Sequence, residues 1–242
     1  MSERIDDLQI KGYKLIQNPD LFCFGVDAVL LSDFARAQKT DKVIDLCTGN
    51  GIIPVLLAAK TEAESIVGLE IQEESAGLAK RSVELNRLES RISIVQGDVK
   101  EADVLFGASS FDVVTCNPPY MNDNHGIKND FTPKAIARHE IMCTLEDVIS
   151  KSARLLKPGG NLFMVHRPHR LIEIIALLRQ YRIEPKRLRF VHPYVSKEPT
   201  MVLIEANRGG KANLRVDAPL IIYEDVNKYT EEIYEIYGMT GP

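Results

Sequence analysis

Short apolar runs alternate with helix-length segments along most of this chain, and that alternation constrains the fold more than any other feature. Runs at 43–47, 66–70, 92–96, 112–116 and 161–166 are separated by segments with helical spacing at 52–60, 73–86 and 145–156. A further helical pattern at 168–181 sets Leu171, Ile174, Ile175 and Leu178 on one face, and runs at 187–192 and 200–206 follow. Strands alternating with helices imply βαβ units, and therefore a parallel sheet covered on both faces. At 242 residues the chain is long enough for one full core without disulfides or metal. Hydrophobic residues at 45% and charged residues at 26% exclude a disordered or fibrous chain.

No apolar run reaches the roughly 18 residues of a membrane span, and residues 1–7 lack the basic start and apolar stretch of a signal peptide. Cys23, Cys47, Cys116 and Cys143 are widely spaced without a CxxC, so neither a zinc site nor a disulfide framework is indicated. The expected compartment is the cytoplasm, with no metal and no membrane association. Before the alternation, 13–16 and 21–24 read as a small hairpin around Asn18 and Pro19, and 25–37 as a helix. Residues 211–242 read as a weakly structured acidic tail. The organisation expected is an extension over 1–41 closing the ligand pocket, a main domain over 42–208 and the tail over 209–242. Residues 117–143 form a long loop without period, the kind that is functional or disordered.

The first run ends in Asp45-Leu46-Cys47-Thr48-Gly49-Asn50-Gly51 before a helix. A strand, a glycine turn and a helix N-terminus form a site where backbone N–H groups can approach a nucleotide-like ligand. Glu70 closes the second run, 19 residues after Gly51, where a carboxylate can accept from both ribose hydroxyls. Asp98 follows the third run, where it can accept from an adenine amine. A helix cap or a solvated strand end would explain each singly; the series in order at strand ends points to a crevice at the edge of an open α/β sheet. The position that a dinucleotide fingerprint fills with Gly or Ala is Pro54, and Asp45 is suited to an ammonium group. S-adenosylmethionine therefore fits better than NAD.

The fourth run ends in Cys116-Asn117-Pro118-Pro119-Tyr120. An aniline-like or amide nitrogen is a poor nucleophile because its lone pair is delocalised. The Asn117 side-chain oxygen and the Pro118 carbonyl can accept its two N–H bonds, aim its lone pair and stabilise developing positive charge. Aspartate at this position would still accept. Tyr120 offers a face on which a flipped base stacks. His125, His139, His166, His169 and His192 show no metal spacing, and Cys47 and Cys116 read as small buried residues.

These motifs, over about residues 40–206, resemble class I S-adenosylmethionine-dependent methyltransferases. The segment Phe22-Cys23-Phe24-Gly25-Val26-Asp27-Ala28-Val29-Leu30-Leu31 is similar to the N-terminal segment of the tRNA1(Val) adenine-N6 methyltransferase family. The resemblance implies a Rossmann-like α/β fold, a seven-stranded mostly parallel sheet with helices on both faces. It also implies a cofactor pocket of Phe24, Gly25, Asp27, Asp45, Thr48, Gly49, Gly51, Glu70, Asp98 and Asn117, with Asn117, Pro118 and Tyr120 catalytic. The implied target is adenine N6 in tRNA, at position 37. Glutamine-amide methylation of a translation factor uses the same motif, and a non-catalytic RNA-binding protein with a vestigial pocket is the reading from another class.

Charge bears on the partner. Residues 1–150 hold 15 Lys/Arg and 24 Asp/Glu, net −9; residues 151–215 hold 14 and 4, net +10; residues 216–242 hold 1 and 6, net −5. A basic block in an acidic protein suggests a polyanion, so RNA is the expected partner, bound through a face drawn from 151–215.

Overall fold

Consecutive strand residues face opposite sides of a sheet, and in this chain both sides are covered. Described by a computed structural model are residues 3–21, 23–118 and 143–239. Five parallel strands form the centre: β3 (Lys42–Leu46), β4 (Ser65–Glu70), β5 (Ile92–Gln96), β6 (Phe111–Cys116) and β7 (Leu156–His166). Val43, Ile66 and Val113 join one buried cluster, while Ile44, Leu69 and Val114 join the other. The first cluster takes in α1 (Val26–Phe34), α2 (Ile52–Lys60) and the end of α3 (Glu73–Leu85); the second takes in α4 (Ala102–Phe106), α5 (Leu145–Leu155) and α6 (Leu171–Gln180).

The long strands β8 (Ile183–His192) and β9 (Met201–Arg208) complete seven in the order β5-β4-β3-β6-β7-β9-β8, with β9 antiparallel to both neighbours. This is the expected mostly parallel, seven-stranded sheet. Two short strands, β10 (Arg215–Val216) and β11 (Leu220–Ile221), add to β8 in parallel and bring the sheet to nine. The chain leaves β3 toward β4 and β5, then returns to lay β6 on the other side of β3. The C-terminal ends of β3 and β6 are thus the topological switch point, where open α/β sheets bind ligands.

Two expectations change. The run at 14–17 pairs not with 21–24 but with β1 (Arg4–Asp7), as β2 (Lys14–Gln17) of an antiparallel hairpin. That hairpin is fastened to α3: Lys14 N–H donates to Asn86 Oδ1 and Ile16 N–H to Ser82 Oγ. Its exposed, charged first strand shows no apolar alternation, which is why the sequence pattern does not mark it. The acidic tail is also structured. After β11 it forms the hairpin β12 (Tyr223–Asp225) and β13 (Lys228–Tyr229), then α7 (Glu231–Ile236), whose Ile233 and Ile236 enter the cluster containing α1 and α2. Lys60 Nζ donates to Ile236 O, and residues 7–10 and 236–239 flank an apolar cavity of about 90 Å³ that Phe24 also lines. Among the described residues no helix is long and apolar enough to cross a membrane.

Candidate active site

The turn after β3 is shaped by left-handed residues. Cys47 (φ 59°), Gly49 (φ 58°) and Gly51 (φ 84°) reverse the chain before α2. At Gly49 a Cβ would meet nothing within 4 Å; at Gly51 it would lie 3.0 Å from the Ala79 Cβ, so this glycine also lets α2 approach α3. A non-glycine residue in that region, Cys47, stores backbone strain, which tends to mark functional turns.

Strand register brings the carboxylates and their partners together. Asp45 on β3 is paired with Thr115 on β6, so their side chains share one face. Fully buried, Asp45 accepts from Thr115 Oγ1 (2.7 Å) and Thr48 Oγ1 (2.6 Å). Burial, with a smaller contribution from nearby Glu70, pushes its pKa up to about 7 against the opposing pull of the two hydroxyls. Glu70 is 4% exposed and braces the turn: Oε2 accepts from Gly49 N–H (2.8 Å) and Oε1 from Gln72 N–H (2.9 Å). A carboxylate has about four acceptor sites, and these two bonds occupy two of those at Glu70. Asp98 accepts from Lys100 N–H and caps a one-turn 3₁₀ helix over Val99–Glu101. Its capping role is realised, and its other oxygen is uncommitted in that bond.

Asn117 follows β6 at the switch point. Its Nδ2 donates to Asp27 Oδ2 (3.0 Å) on the first turn of α1. A carboxylate only accepts, so the amide must turn its NH₂ to Asp27 and its oxygen away. That oxygen, Oδ1, is buried and has no hydrogen-bond partner among the described residues. Buried acceptors are almost always satisfied, and this one is an exception among the described residues. Pro118 is buried beside it. Tyr120, His125, His139 and most of the loop at 117–143 lie outside the described residues.

The N-terminal segment reaches the site by polar contacts. Buried Gln17 accepts at Oε1 from Phe24 N–H (3.1 Å) and from Asn50 Nδ2 (3.4 Å), tying β2 to the glycine turn. No local pattern marks Gln17; a single glutamine ending a short run looks like any surface residue. Asp27 meets Asn117, while the Phe24 ring packs on the core and lines the cavity near α7. The residue pattern does not single out Thr115 either, although the strand order alone sets it beside Asp45.

The neighbouring thiol raises the pKa of Cys47 (from Cys116) and of Cys143 (from Cys47), burial raises that of Cys116, and none of the three is a ready nucleophile. Desolvation lowers the pKa of buried His166 to about 4, keeping it neutral. No cluster of His, Cys, Asp or Glu among the described residues is arranged to hold a metal ion.

The basic block is largely matched in space. Lys151 and Arg154 meet Asp103, Lys157 meets Asp112, and Arg189 meets Glu232, all acids from outside the block. Arg187 is 8% exposed: it pairs with Glu205 and Asp217, donates to Phe34 O and lies 3.8 Å over the Phe34 ring. It is a core residue, not part of a binding face. Arg167, His169 and Arg170 follow β7 at the same sheet edge as Asn117, where Arg170 pairs with Glu173 and Arg167 donates to Thr200 O.

Residues 13–182 match the model of the methyltransferase small domain family. Curated relatives include a tRNA1(Val) (adenine(37)-N6)-methyltransferase of Porphyromonas gingivalis, 28% identical over 206 residues that cover 83% of this chain and 80% of the relative. Another of that name, from Parabacteroides distasonis, is 26% identical over 228 residues, 94% of each chain. Among solved structures, one described as a predicted O-methyltransferase from Agrobacterium tumefaciens superposes with TM-score 0.71 at 26% identity, covering 89% of this chain and 98% of the other. A Methanocaldococcus jannaschii protein solved with S-adenosylmethionine superposes with TM-score 0.60 at 12% identity, over 85% of each chain, and shares the fold.

Proposed function

Because this chain belongs to the methyltransferase small domain family, we propose that it transfers the methyl group of S-adenosylmethionine to adenine N6 in tRNA, the activity named for its relatives. The observation that carries the reading is the buried Oδ1 of Asn117 at the sheet switch point, which has no partner among the described residues. An exocyclic amine supplies the donor that this oxygen lacks. The residues present suit the cofactor: a buried carboxylate at Asp45 calls for a cation, and Glu70 retains acceptor capacity beside a glycine with open space before it. Bound S-adenosylmethionine supplies an electrophilic sulfonium methyl. Asp45 would hold its ammonium, Glu70 its ribose hydroxyls and Asp98 its adenine amine. Asn117 Oδ1 and the Pro118 carbonyl accept the target N–H bonds, which raises electron density on the nitrogen and fixes its direction. Tyr120 provides the stacking face. Residues 1–41, through Gln17 and Asp27, close one side of the pocket.

The reading is tested with a labelled methyl donor and separated pools of tRNA, rRNA, DNA and protein. Label is expected in tRNA and, after nuclease digestion, in N6-methyladenosine. Label in glutamine of a protein would replace this reading with amide methylation, and binding without transfer to any pool would replace it with a non-catalytic role.

Asp45 gives a pH-dependent prediction. Its pKa, raised by burial to about 7, means that the ligand-free fold binds a proton that an ammonium must displace. Affinity for S-adenosylmethionine should therefore rise with pH up to about 7 and fall again above about 8, where an α-ammonium loses its own proton. Calorimetry in buffers of different ionisation enthalpy should show proton release on binding below pH 7, abolished in Asp45→Asn. The sign for stability is opposite. An acid with a raised folded-state pKa favours the fold at low pH, so the unliganded protein loses that contribution as pH rises from about 4 through 7.

On this reading the RNA surface is expected at the sheet edge near Asn117. Affinity for tRNA should fall steeply with salt, and Arg167→Glu or Arg170→Glu should reduce the log–log slope by about 0.7–0.9 for each phosphate no longer neutralised. Filter binding between low and moderate salt measures this; an unchanged slope in both variants removes them from the interface.

A further inference from the structure

We infer that Asp27 is a positioning residue, which orients the Asn117 amide for the amine and does not serve chiefly as a cofactor ligand. This rests on the reading of Asn117 as an acceptor for an exocyclic amine. An asparagine amide is nearly symmetric in shape, and rotation by half a turn exchanges its oxygen and nitrogen. With nothing to hold it, Asn117 would present its NH₂ to the target amine about as readily as its oxygen, and two facing donors repel. Asp27 breaks that symmetry. Its Oδ2 accepts one of the two Nδ2–H bonds at 3.0 Å, which holds the nitrogen toward α1 and the oxygen on the opposite side of the amide.

The aspartate is itself fixed. Its Oδ1 accepts from Ala28 N–H at 2.9 Å, on the first turn of α1. Gly25 leaves the room it needs: a Cβ at Gly25 would stand 2.9 Å from Asp27 Oδ1. Gly25 has ordinary extended backbone (φ −112°, ψ −174°), so any residue could adopt its conformation. Its smallness serves the carboxylate, not a turn. The arrangement also links two distant parts of the chain. An acceptor at the end of β6 is aimed by a residue 90 positions earlier, in the segment preceding the first central strand.

Two readouts test this, one of them independent of turnover. In the ¹⁵N spectrum the Asn117 side-chain NH₂ pair, identified by its disappearance in Asn117→Ala, should shift toward the position of an unbonded amide in Asp27→Ala. An unmoved pair would overturn the proposal even if no RNA substrate were found. On tRNA, Asp27→Ala should lower the single-turnover rate by about 10- to 100-fold, the range for a misdirected reacting group, while S-adenosylmethionine affinity stays within about twofold. Gly25→Ala should lower the rate in the same way with Asp27 still present. Weaker cofactor binding with an unchanged rate would make Asp27 a cofactor ligand instead.

Exchanging the two side chains separates direction from mere support. In Asp27→Asn combined with Asn117→Asp, donor and acceptor trade places. The bond between the two positions persists, and the carboxylate now following β6 keeps one oxygen for the amine. This double variant should be about tenfold faster than Asn117→Asp alone, as expected for coupled residues in contact. A double variant no faster than the single one overturns the proposal, and it remains informative if Asp27→Ala fails to fold. Should wild-type protein methylate no RNA while the NH₂ pair moves as expected, the substrate assignment fails and the positioning role stands.

Discussion

Asn117→Ala is expected to slow methyl transfer by about 10²- to 10³-fold, the usual cost of removing one positioned polar group at a reacting centre. Fold and cofactor affinity should be nearly unchanged, because Asp45, Glu70 and the glycine turn hold one another by bonds that do not include Asn117. The loss should appear in the single-turnover rate and in kcat more than in KM, since the polarised nitrogen matters most in the transition state. Wild-type turnover in this variant would end the exocyclic-amine mechanism. The sequence alone suggests that Asn117→Asp is mild, because a carboxylate still accepts. The structure reverses that expectation: the new carboxylate would face Asp27 Oδ2 at the 3.0 Å now spanned by a hydrogen bond. Two like charges at that range cannot both remain ionised without displacement, so Asn117→Asp should be markedly impaired at neutral pH.

The second large effect is on stability. Arg187→Ala should destabilise the fold by roughly 3–5 kcal/mol, the cost of removing one partner from a buried ion pair. Glu205 and Asp217 would be left facing each other across the vacated space, Phe34 O would lose a donor, and the ring of Phe34 would lose the guanidinium stacked on it. Urea unfolding should show a lower midpoint with an unchanged slope. Arg187→Met combined with Glu205→Leu should recover part of the loss, because apolar side chains of similar volume often replace such a pair at little cost. A change below about 1 kcal/mol in Arg187→Ala, the level of an exposed pair, would contradict the placement of this residue in the core.

Arg187 also shows what a linear sequence hides. It belongs to the +10 segment, yet its charge is met by Asp217 from the acidic tail and by Glu205 on the neighbouring strand. Segregation of charge along the chain becomes pairing in space, since β8 is the strand on which the tail docks. What can be read from the sequence is set by local rules. The central strands are legible because Val43, Ile66, Ile92 and Val113 lie in apolar runs bounded by helices, and the glycine turn because its residue types serve a local backbone need. The strand β1 is not, because Arg4, Asp6 and Asp7 look like solvent-exposed polar chain. Nor is α7: a six-residue helix offers Ile233 and Ile236 alone, too little for a period. At the site, the types and order of Asp45, Glu70, Asp98 and Asn117 are legible. The bond between Asp27 and Asn117 is not, because no spacing rule relates residues 90 apart.

The packing of α7 against α1 has a consequence for when the protein becomes active during synthesis. The helix that carries Asp27 shares its buried cluster with Ile233 and Ile236, and residues 7–10 meet residues 236–239 around the same cavity. A ribosome makes residues 26–34 early, but their last packing partners emerge about 200 residues later, at the slow pace of translation. Until then the glycine turn and the central strands can form from local βαβ units, while α1 lacks the apolar contacts of Ile233 and Ile236. The nascent chain should thus form its glycine turn before the bond between Asp27 and Asn117 is held firmly.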